Sequence, residues 1–397
     1  MRVAFVCCDH GVPVFGRKGS SVHVQAVLRT LVARGDEVHL LTTAPVGTPT
    51  PELAQVWVHH LPTGPSTDRA GREVRSQEAD ALVSGVLTRL HQESPLGLVY
   101  ERYSLWGRTA MAWAATVGVP SLLEVNAPLV DEQATHRVLV DRDRAEQVAT
   151  HALSSAGAVL CVTEAVARWA RCRMRDPANA HVLGNGVDTL RIRPSGRRVT
   201  PSVGTPFTVG FVGTLKPWHG VDLLVDSTAL LVVEDPTYRL LVVGDGPLAT
   251  TLRERAAGAG IAAQLETTGG VSPHDVPAQL HRFDVAIAPY PPMDDFYFSP
   301  LKVYEYLGAG LPVVASRVGG LADVLDHGRI GVLVEPGDAA GLATAVADLR
   351  ADPARRETLG RAARLRAVAR HDWSSVVCSA LSLSRVGVEG VPRAASR

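Results

Sequence analysis

What most constrains this chain is an alternation, run through twice, of short apolar segments with longer stretches of helical periodicity. After Arg2 the sequence is continuously apolar to Cys8; a glycine-rich loop at 11–19 follows, and then an apolar-periodic stretch at 22–32. That order reads as strand, loop, helix. A strand without polar alternation is buried on both faces, as in a parallel sheet covered by helices. Extended segments recur at 37–41, 98–100, 120–125 and 158–162, with helical ones at 73–90 and 142–154. At 191–206 the chain turns basic and rich in Pro, Gly, Ser and Thr, which marks a linker. A second cycle then places strands at 207–212, 239–243, 284–288, 311–315 and 331–334, and helices at 221–232, 301–307 and 339–349. The pattern predicts an α/β protein with two Rossmann-like, doubly wound parallel-sheet domains, at 1–190 and 207–371. Their strand ends are expected to face each other across a cleft, where such sheets bind ligands. The tail at 387–397 is small, polar and expected to be disordered.

Composition narrows the function. With 40 Lys+Arg against 40 Asp+Glu there is no bulk field to attract nucleic acid or an anionic membrane, so any anion site is local. Only three of the basic residues are lysines, Lys18, Lys216 and Lys302, which fits compact charges kept for phosphate, and fits residue-usage drift equally. Five cysteines without CxxC spacing read as free thiols of a reducing compartment. The apolar start is too short for a secretory signal, and no apolar run approaches the roughly 20 residues of a membrane span. A cytoplasmic protein with no integral membrane segment is the expectation.

Three loops that follow or open predicted elements carry the chemistry. In the segment from Phe296 to Ala315, a polar turn, Ser299-Pro300-Leu301-Lys302, opens a helix, with Glu305 one turn on. Free N–H groups and the helix dipole there suit a diphosphate, and a carboxylate can accept from two ribose hydroxyls. Glu305 also fits an ordinary solvated helix residue. Gly213-Thr214-Leu215-Lys216-Pro217-Trp218-His219-Gly220 follows an inner strand, and Lys216 is the preferred electrophile with His219 second; Trp218 and His219 fit a packed surface turn as well. Lys18-Gly19-Ser20-Ser21 opens the first helix, with the serines as candidate caps. No Gly-x-Gly-x-x-Gly occurs and no acid ends the second strand, which argues against a nicotinamide oxidoreductase.

The segment from Ser299 to Ala315 resembles the donor site of the retaining glycosyltransferases of family 4, whose signature is Glu, seven residues, Glu, small residues and a Pro-Val-Val strand. Glu305 matches the second glutamate; the first falls at Tyr297, with Asp294 and Asp295 as possible substitutes. The resemblance implies the GT-B fold and a helix at about 372–386 crossing back to the first domain. It makes Lys216, His219 and Glu305 catalytic, and gives the donor Lys18, Gly19, Ser20, Gly213, Thr214, Gly246, Val271, Ser299, Pro300, Leu301, Lys302 and Glu305. Glu101, Glu124 and Asn126, which follow or end first-domain strands, are the candidates for sugar or acceptor together with Asp294 and Asp295; the first three fit structural turn residues equally.

The implied reaction is hexosyl transfer from a nucleotide-diphosphate sugar, UDP-linked by family precedent, to a hydroxyl of a small-molecule or glycoside acceptor. No cofactor and no metal are expected, because fixed N–H groups and an ammonium can hold the leaving phosphate, each such contact being worth about 3 kcal/mol in the barrier. A nucleotide-sugar epimerase and a non-catalytic nucleotide-sugar binder of the same fold are the alternatives.

Overall fold

The computed structural model describes residues 1–64, 68–196, 204–293 and 296–384. The expected tail, residues 197–203 of the expected linker, residues 385–386 of the returning helix, and Asp294 and Asp295 lie outside the described residues. The chain folds into two compact units. The first holds Met1–Gly184, Tyr297–Ser299 and the chain from Trp373; the second holds Asn185–Phe296 and Pro300–Asp372.

In the first unit, β1 (Arg2–Cys7), β2 (Glu37–Thr42), β3 (Trp57–His60), β4 (Leu98–Arg102), β5 (Ser121–Val125), β6 (Ala158–Cys161) and β7 (Ala180–Val182) form one parallel sheet, ordered β3-β2-β1-β4-β5-β6-β7. In the second, β8 (Phe207–Val212), β9 (Tyr238–Val243), β10 (Leu265–Thr267), β11 (Val285–Ala288), β12 (Val313–Ser316) and β13 (Val332–Val334) form another, ordered β10-β9-β8-β11-β12-β13. Each sheet reverses its winding once, between β1 and β4 and between β8 and β11. At such a reversal the loops after neighbouring strands leave toward opposite faces and open a crevice at the strand ends.

The apolar runs become strands because both faces are covered. Val3, Phe5 and Cys7 pack with Val24, Leu28 and Leu31 of helix Gly19–Ala33 and with Trp373, Val377 and Leu381 of helix Trp373–Leu383. Ala4 and Val6 point the other way, into a cluster with Val83 and Leu87 of helix Arg69–Glu93. At roughly 1.5–3 kcal/mol per fully buried Val, Leu or Phe, β1 alone outweighs any single polar contact at a sheet edge. In the second unit Val209, Phe211, Leu240, Val242, Val285 and Ile287 pack with Leu224, Val225, Leu342 and Val346.

The structure adds β3, β7 and β10, which the apolar pattern does not announce: they are edge strands with mostly uncovered side chains. Helix Arg69–Glu93 starts earlier than the periodicity suggests, because the Asp68 carboxylate caps it by accepting from the Gly71 N–H at 2.6 Å. The serine caps of the first helix are not found. That helix begins at Gly19 with no side-chain cap, and Ser21 is fully buried within it. Among the described residues no helix is long and apolar enough to cross a membrane.

Candidate functional site

In the second unit the crevice lies where β8 and β11 diverge. Gly213, immediately after β8, has φ of 143°, and its N–H donates to the Val243 carbonyl at 3.0 Å. Leu215 N–H donates to the Asp245 carbonyl at 3.0 Å, so the loops after β8 and β9 are zipped together. A Cβ at Gly246 would lie 2.6 Å from the Leu215 nitrogen, so this close approach requires glycine. Tyr306, fully buried on helix Leu301–Gly308, ties the diverging strands: its hydroxyl accepts from Val212 N–H at 2.8 Å and donates to the Ile287 carbonyl at 3.3 Å.

That helix starts after Pro300 without a side-chain cap, and its second residue, Lys302, turns inward. Lys302 is 8% exposed, and Nζ sits 4.2 Å from the Phe211 ring centroid and 5.3 Å from that of Tyr290. Nζ has no hydrogen-bond acceptor among the described residues. A Cβ on Gly213 would lie 3.1 Å from Lys302 Cε, which places the ammonium against the glycine turn. Burial pushes the Lys302 amine down to about 7, against the opposing pull of Glu305. Burial likewise pushes the half-buried Glu305 carboxyl up to about 7, opposed by Arg191 and Lys302.

The two cations expected in the loop after β8 divide differently. His219 Nδ1 hydrogen-bonds to the Thr214 carbonyl, which can only accept, so Nδ1 carries the proton and Nε2 offers a lone pair. Burial and then Lys302 push its pKa down to about 4, so near neutral pH His219 is an uncharged hydrogen-bond acceptor and not the electrophile that its type suggests. Lys216 is half-buried, with Nζ 5.7 Å from the Trp218 ring centroid. The scarce lysine that lies between strand ends is Lys302, in a box of aromatic rings that the sequence motif does not announce.

Thr214 is exposed beside Gly213, and Val271 is half-buried two residues before Pro273, whose carbonyl accepts from the Arg191 guanidinium. Arg191 also ion-pairs with Asp188 at 3.6 Å. Tyr297, Phe298 and Ser299 group with the first unit. There the Tyr297 hydroxyl donates to Glu132 at 3.2 Å and its carbonyl accepts from Thr163 Oγ1 at 3.1 Å, so Tyr297 supplies no carboxylate to stand for the missing glutamate. Ser299 Oγ is buried, with no hydrogen-bond partner among the described residues.

The first unit gathers a second polar cluster at the strand ends flanking its own reversal. Glu124, 6% exposed, takes His23 Nε2 at 2.7 Å, the Tyr100 hydroxyl at 2.6 Å, Arg102 at 3.3 Å and Asn126 Nδ2 at 2.5 Å. Burial alone would raise this carboxyl, but His23, Arg102 and Tyr100 outweigh it and hold Glu124 well below the usual carboxylate range. Glu124 is thus a support, and half-buried Asn126, one N–H of whose Nδ2 is used on it, keeps the amide oxygen and the second N–H for a ligand. Glu101 leaves the list of sugar contacts: it shares the buried face of Val99, is 1% exposed, and burial followed by the nearby Asp80 pushes its carboxyl well above the usual range. Lys18 donates to the Gly11 carbonyl at 3.2 Å ahead of Gly19 and Ser20. His23 carries no motif, and only its place on the inward face of an amphipathic helix hints at it. Among the described residues no group of His, Cys, Asp or Glu has metal-binding spacing.

Comparison with known proteins agrees with this architecture. Residues 17–191 match the family model for Glycosyltransferase Family 4, and residues 206–352 match that for Glycosyl transferases group 1. The D-inositol 3-phosphate glycosyltransferase of Geodermatophilus obscurus is 30% identical over 96% of this chain and 87% of its own length. The D-inositol 3-phosphate glycosyltransferase 2 of Catenulispora acidiphila is 29% identical over 94% and 90%. The crystal structure of Anabaena Alr3699/HepE in complex with UDP and glucose superposes with a TM-score of 0.69 at 20% identity, covering 96% of this chain and 99% of that one. Two parallel, doubly wound sheets with this match define a glycosyltransferase of the GT-B fold. The chain belongs to glycosyltransferase family 4, of the group 1 glycosyl transferases, and is an enzyme of the hexosyltransferase type.

Proposed function

We propose that this enzyme moves a hexosyl group from a nucleoside-diphosphate sugar, UDP-linked in the first instance, to a hydroxyl of a small-molecule or glycoside acceptor, with retention and without a metal. The carrying observation is Lys302: a buried ammonium with no acceptor among the described residues, held against the glycine turn where β8 and β11 diverge. A buried charge without a partner is costly, so the group is explained if a diphosphate completes it. The uncapped start of helix Leu301–Gly308 adds N–H groups and the positive dipole end to the same place. Glu305, one turn further on, accepts from ribose hydroxyls. UDP and glucose in the complex of Anabaena HepE agree with this reading of the donor.

In the reaction the bond from the anomeric carbon to the phosphate oxygen breaks and negative charge collects on the leaving diphosphate. Lys302, the helix start and Lys216 stabilise that charge. The acceptor oxygen attacks the same face, and the leaving phosphate takes its proton. The test is a thermal-shift panel of UDP-, GDP-, ADP- and dTDP-sugars followed by turnover with the sugar that binds, with the product's anomeric configuration read by NMR. Binding raises stability by mass action. Lys302→Met is expected to weaken nucleotide binding about 10- to 100-fold, as loss of a charged hydrogen bond does. Epimerised donor with no glycoside product, or a trapped covalent sugar–enzyme adduct, overturns the proposal.

A further inference from the structure

Tyr297 stands where the signature has its first glutamate, and its surroundings give it a different task. Residues 297–299 belong to the first unit, whereas Phe296 before them and Pro300 after them belong to the second. Phe296 is buried with its ring 4.8 Å from that of Tyr290, and a Cβ on Gly319 would lie 2.3 Å from its Cδ1, so the ring rests directly on that glycine. Tyr290 in turn is one of the two rings beside Lys302 Nζ. On the other side the Pro300 carbonyl accepts from Val303 N–H at 2.8 Å, the hydrogen bond that opens helix Leu301–Gly308. Both ends of this three-residue excursion therefore lead, within a few residues, to groups that set the place of Lys302.

Three contacts fasten the excursion. The Tyr297 ring packs against the apolar cluster of the first unit. Its carbonyl accepts at 3.1 Å from Thr163 Oγ1, the oxygen that also caps helix Glu164–Arg171 by accepting from Val166 N–H at 3.3 Å. Its hydroxyl donates at 3.2 Å to Glu132, in the first turn of helix Leu129–His136. Burial, and then Glu132, keeps the phenol well above the ordinary tyrosine range, so it stays a donor. The residue type follows from these neighbours. An aromatic body with one polar end suits a site with an apolar wall and a carboxylate at its far end. A glutamate reaching the same place would set two carboxylates together, each disfavouring the charge of the other.

We propose that Tyr297 is a positioning residue: bonded to Glu132 and Thr163, it holds the start of helix Leu301–Gly308, and with it Lys302, in the geometry that meets the diphosphate. The proposal rests on the reading of Lys302 as the phosphate-binding ammonium. It makes Glu132, a residue of the first unit with no place in the donor site, a determinant of nucleotide affinity.

The full chain is compared with Tyr297→Phe, Glu132→Ala, Glu132→Gln and the double variant Tyr297→Phe/Glu132→Ala. Amide hydrogen exchange is followed over residues 299–305, and affinity is read by calorimetric titration with whichever of UDP or GDP stabilises the parent. Tyr297→Phe and Glu132→Ala are each expected to speed exchange in that stretch and to weaken nucleotide binding about 10-fold, the effect of losing a hydrogen bond to a charged group. The double variant is expected to be no weaker than either single one, because both remove the same bond. Glu132→Gln, whose amide oxygen still accepts from the phenol, is expected to fall between the parent and Glu132→Ala. A lowered melting temperature with nucleotide affinity unchanged would make Tyr297 a packing contact only and overturns the proposal, as do losses that add in the double variant. Lys302→Met is titrated alongside. Should it leave nucleotide affinity unchanged, the donor reading fails and the exchange data decide this inference: unaltered exchange over 299–305 in Tyr297→Phe and Glu132→Ala overturns it, and accelerated exchange in both supports the hold on the helix start.

Discussion

Nucleotide affinity should weaken steeply above neutral pH, and Lys302 should be the cause. Its amine is pushed down to about 7 in the free protein, so above that value most molecules hold it neutral. A diphosphate binds best to the ammonium form and draws the pKa back toward the ordinary lysine value of 10.5. Binding at alkaline pH must therefore take up a proton. Affinity falls up to tenfold per pH unit above about 7, roughly 100-fold by pH 9, or about 2.7 kcal/mol at 1.36 kcal/mol per unit. The ligand's own charge is steady in that range, since a phosphate's second pKa is near 6. Stability of the free enzyme moves the other way. Between about 7 and 10.5 the unfolded chain binds the extra proton, so this group makes stability rise with pH. Calorimetric titration of UDP or GDP from pH 6 to 9, in buffers of different ionisation enthalpy, reads affinity and proton uptake together. Lys302→Met should flatten the curve, while Glu305→Gln should keep it. An affinity constant from pH 7 to 9 in the parent enzyme, or a slope that survives Lys302→Met, would refute the assignment.

Other expectations follow from the same geometry. Gly213→Ala forces a Cβ to 3.1 Å from Lys302 Cε at a φ of 143°, and should lower both the melting temperature and nucleotide affinity, read by calorimetry. Glu124→Ala leaves buried His23 and half-buried Arg102 without their carboxylate and should cost about 3–5 kcal/mol in urea unfolding. Because Glu124 is held below the usual carboxylate range, its contribution is present above about 4.5 and lost as pH falls toward the folded value; His23→Ala should shrink that acid-labile part. Burial and then Asp80 hold the Glu101 carboxyl well above its usual range, so the stability it gives below the ordinary 4.5 is lost as pH rises toward the folded value, and Glu101→Gln should raise the melting temperature more at pH 8 than at pH 5.

How far the fold could be read depended on where burial leaves a mark. Central strands such as β1, β8 and β12 are covered on both faces and appear as mainly apolar runs without polar alternation. Edge strands such as β3 and β10 are largely uncovered, so their residues are free to be polar and nothing periodic marks them. The site divides the same way. Glycines at 213 and 246 are visible as turn chemistry, because backbone sterics demand them locally. By sequence Lys216 is the preferred electrophile and Lys302 a donor contact, since both stand near a strand end and only Lys216 directly follows an inner strand. What separates them is long-range: Phe211, within β8, and Tyr290, two residues after β11, close rings over Nζ of Lys302.

The same distinction explains His219 and Glu101. A histidine after an inner strand is by type a candidate cation, and a glutamate at the end of one is by type a candidate ligand. The first loses its charge because burial and then the nearby Lys302 and Lys216 outweigh the hydrogen bond to the Thr214 carbonyl, which favours the charged form. The second loses its surface because β4 turns it to the face it shares with Val99. Residue type states what a group can do in water; the three-dimensional neighbours decide its charge and exposure, and these two quantities are the grounds on which Lys302 is proposed, among three lysines, as the ammonium that meets a phosphate. If the selection is right, the cost of burying Lys302 unpaired is recovered only when the nucleotide arrives. Free enzyme should then be measurably stabilised by Lys302→Met at pH 6, where the parent's amine is charged, and much less so at pH 9. A destabilising effect of that substitution at both pH values would mean that the ammonium has a structural partner, and that the diphosphate must be sought elsewhere.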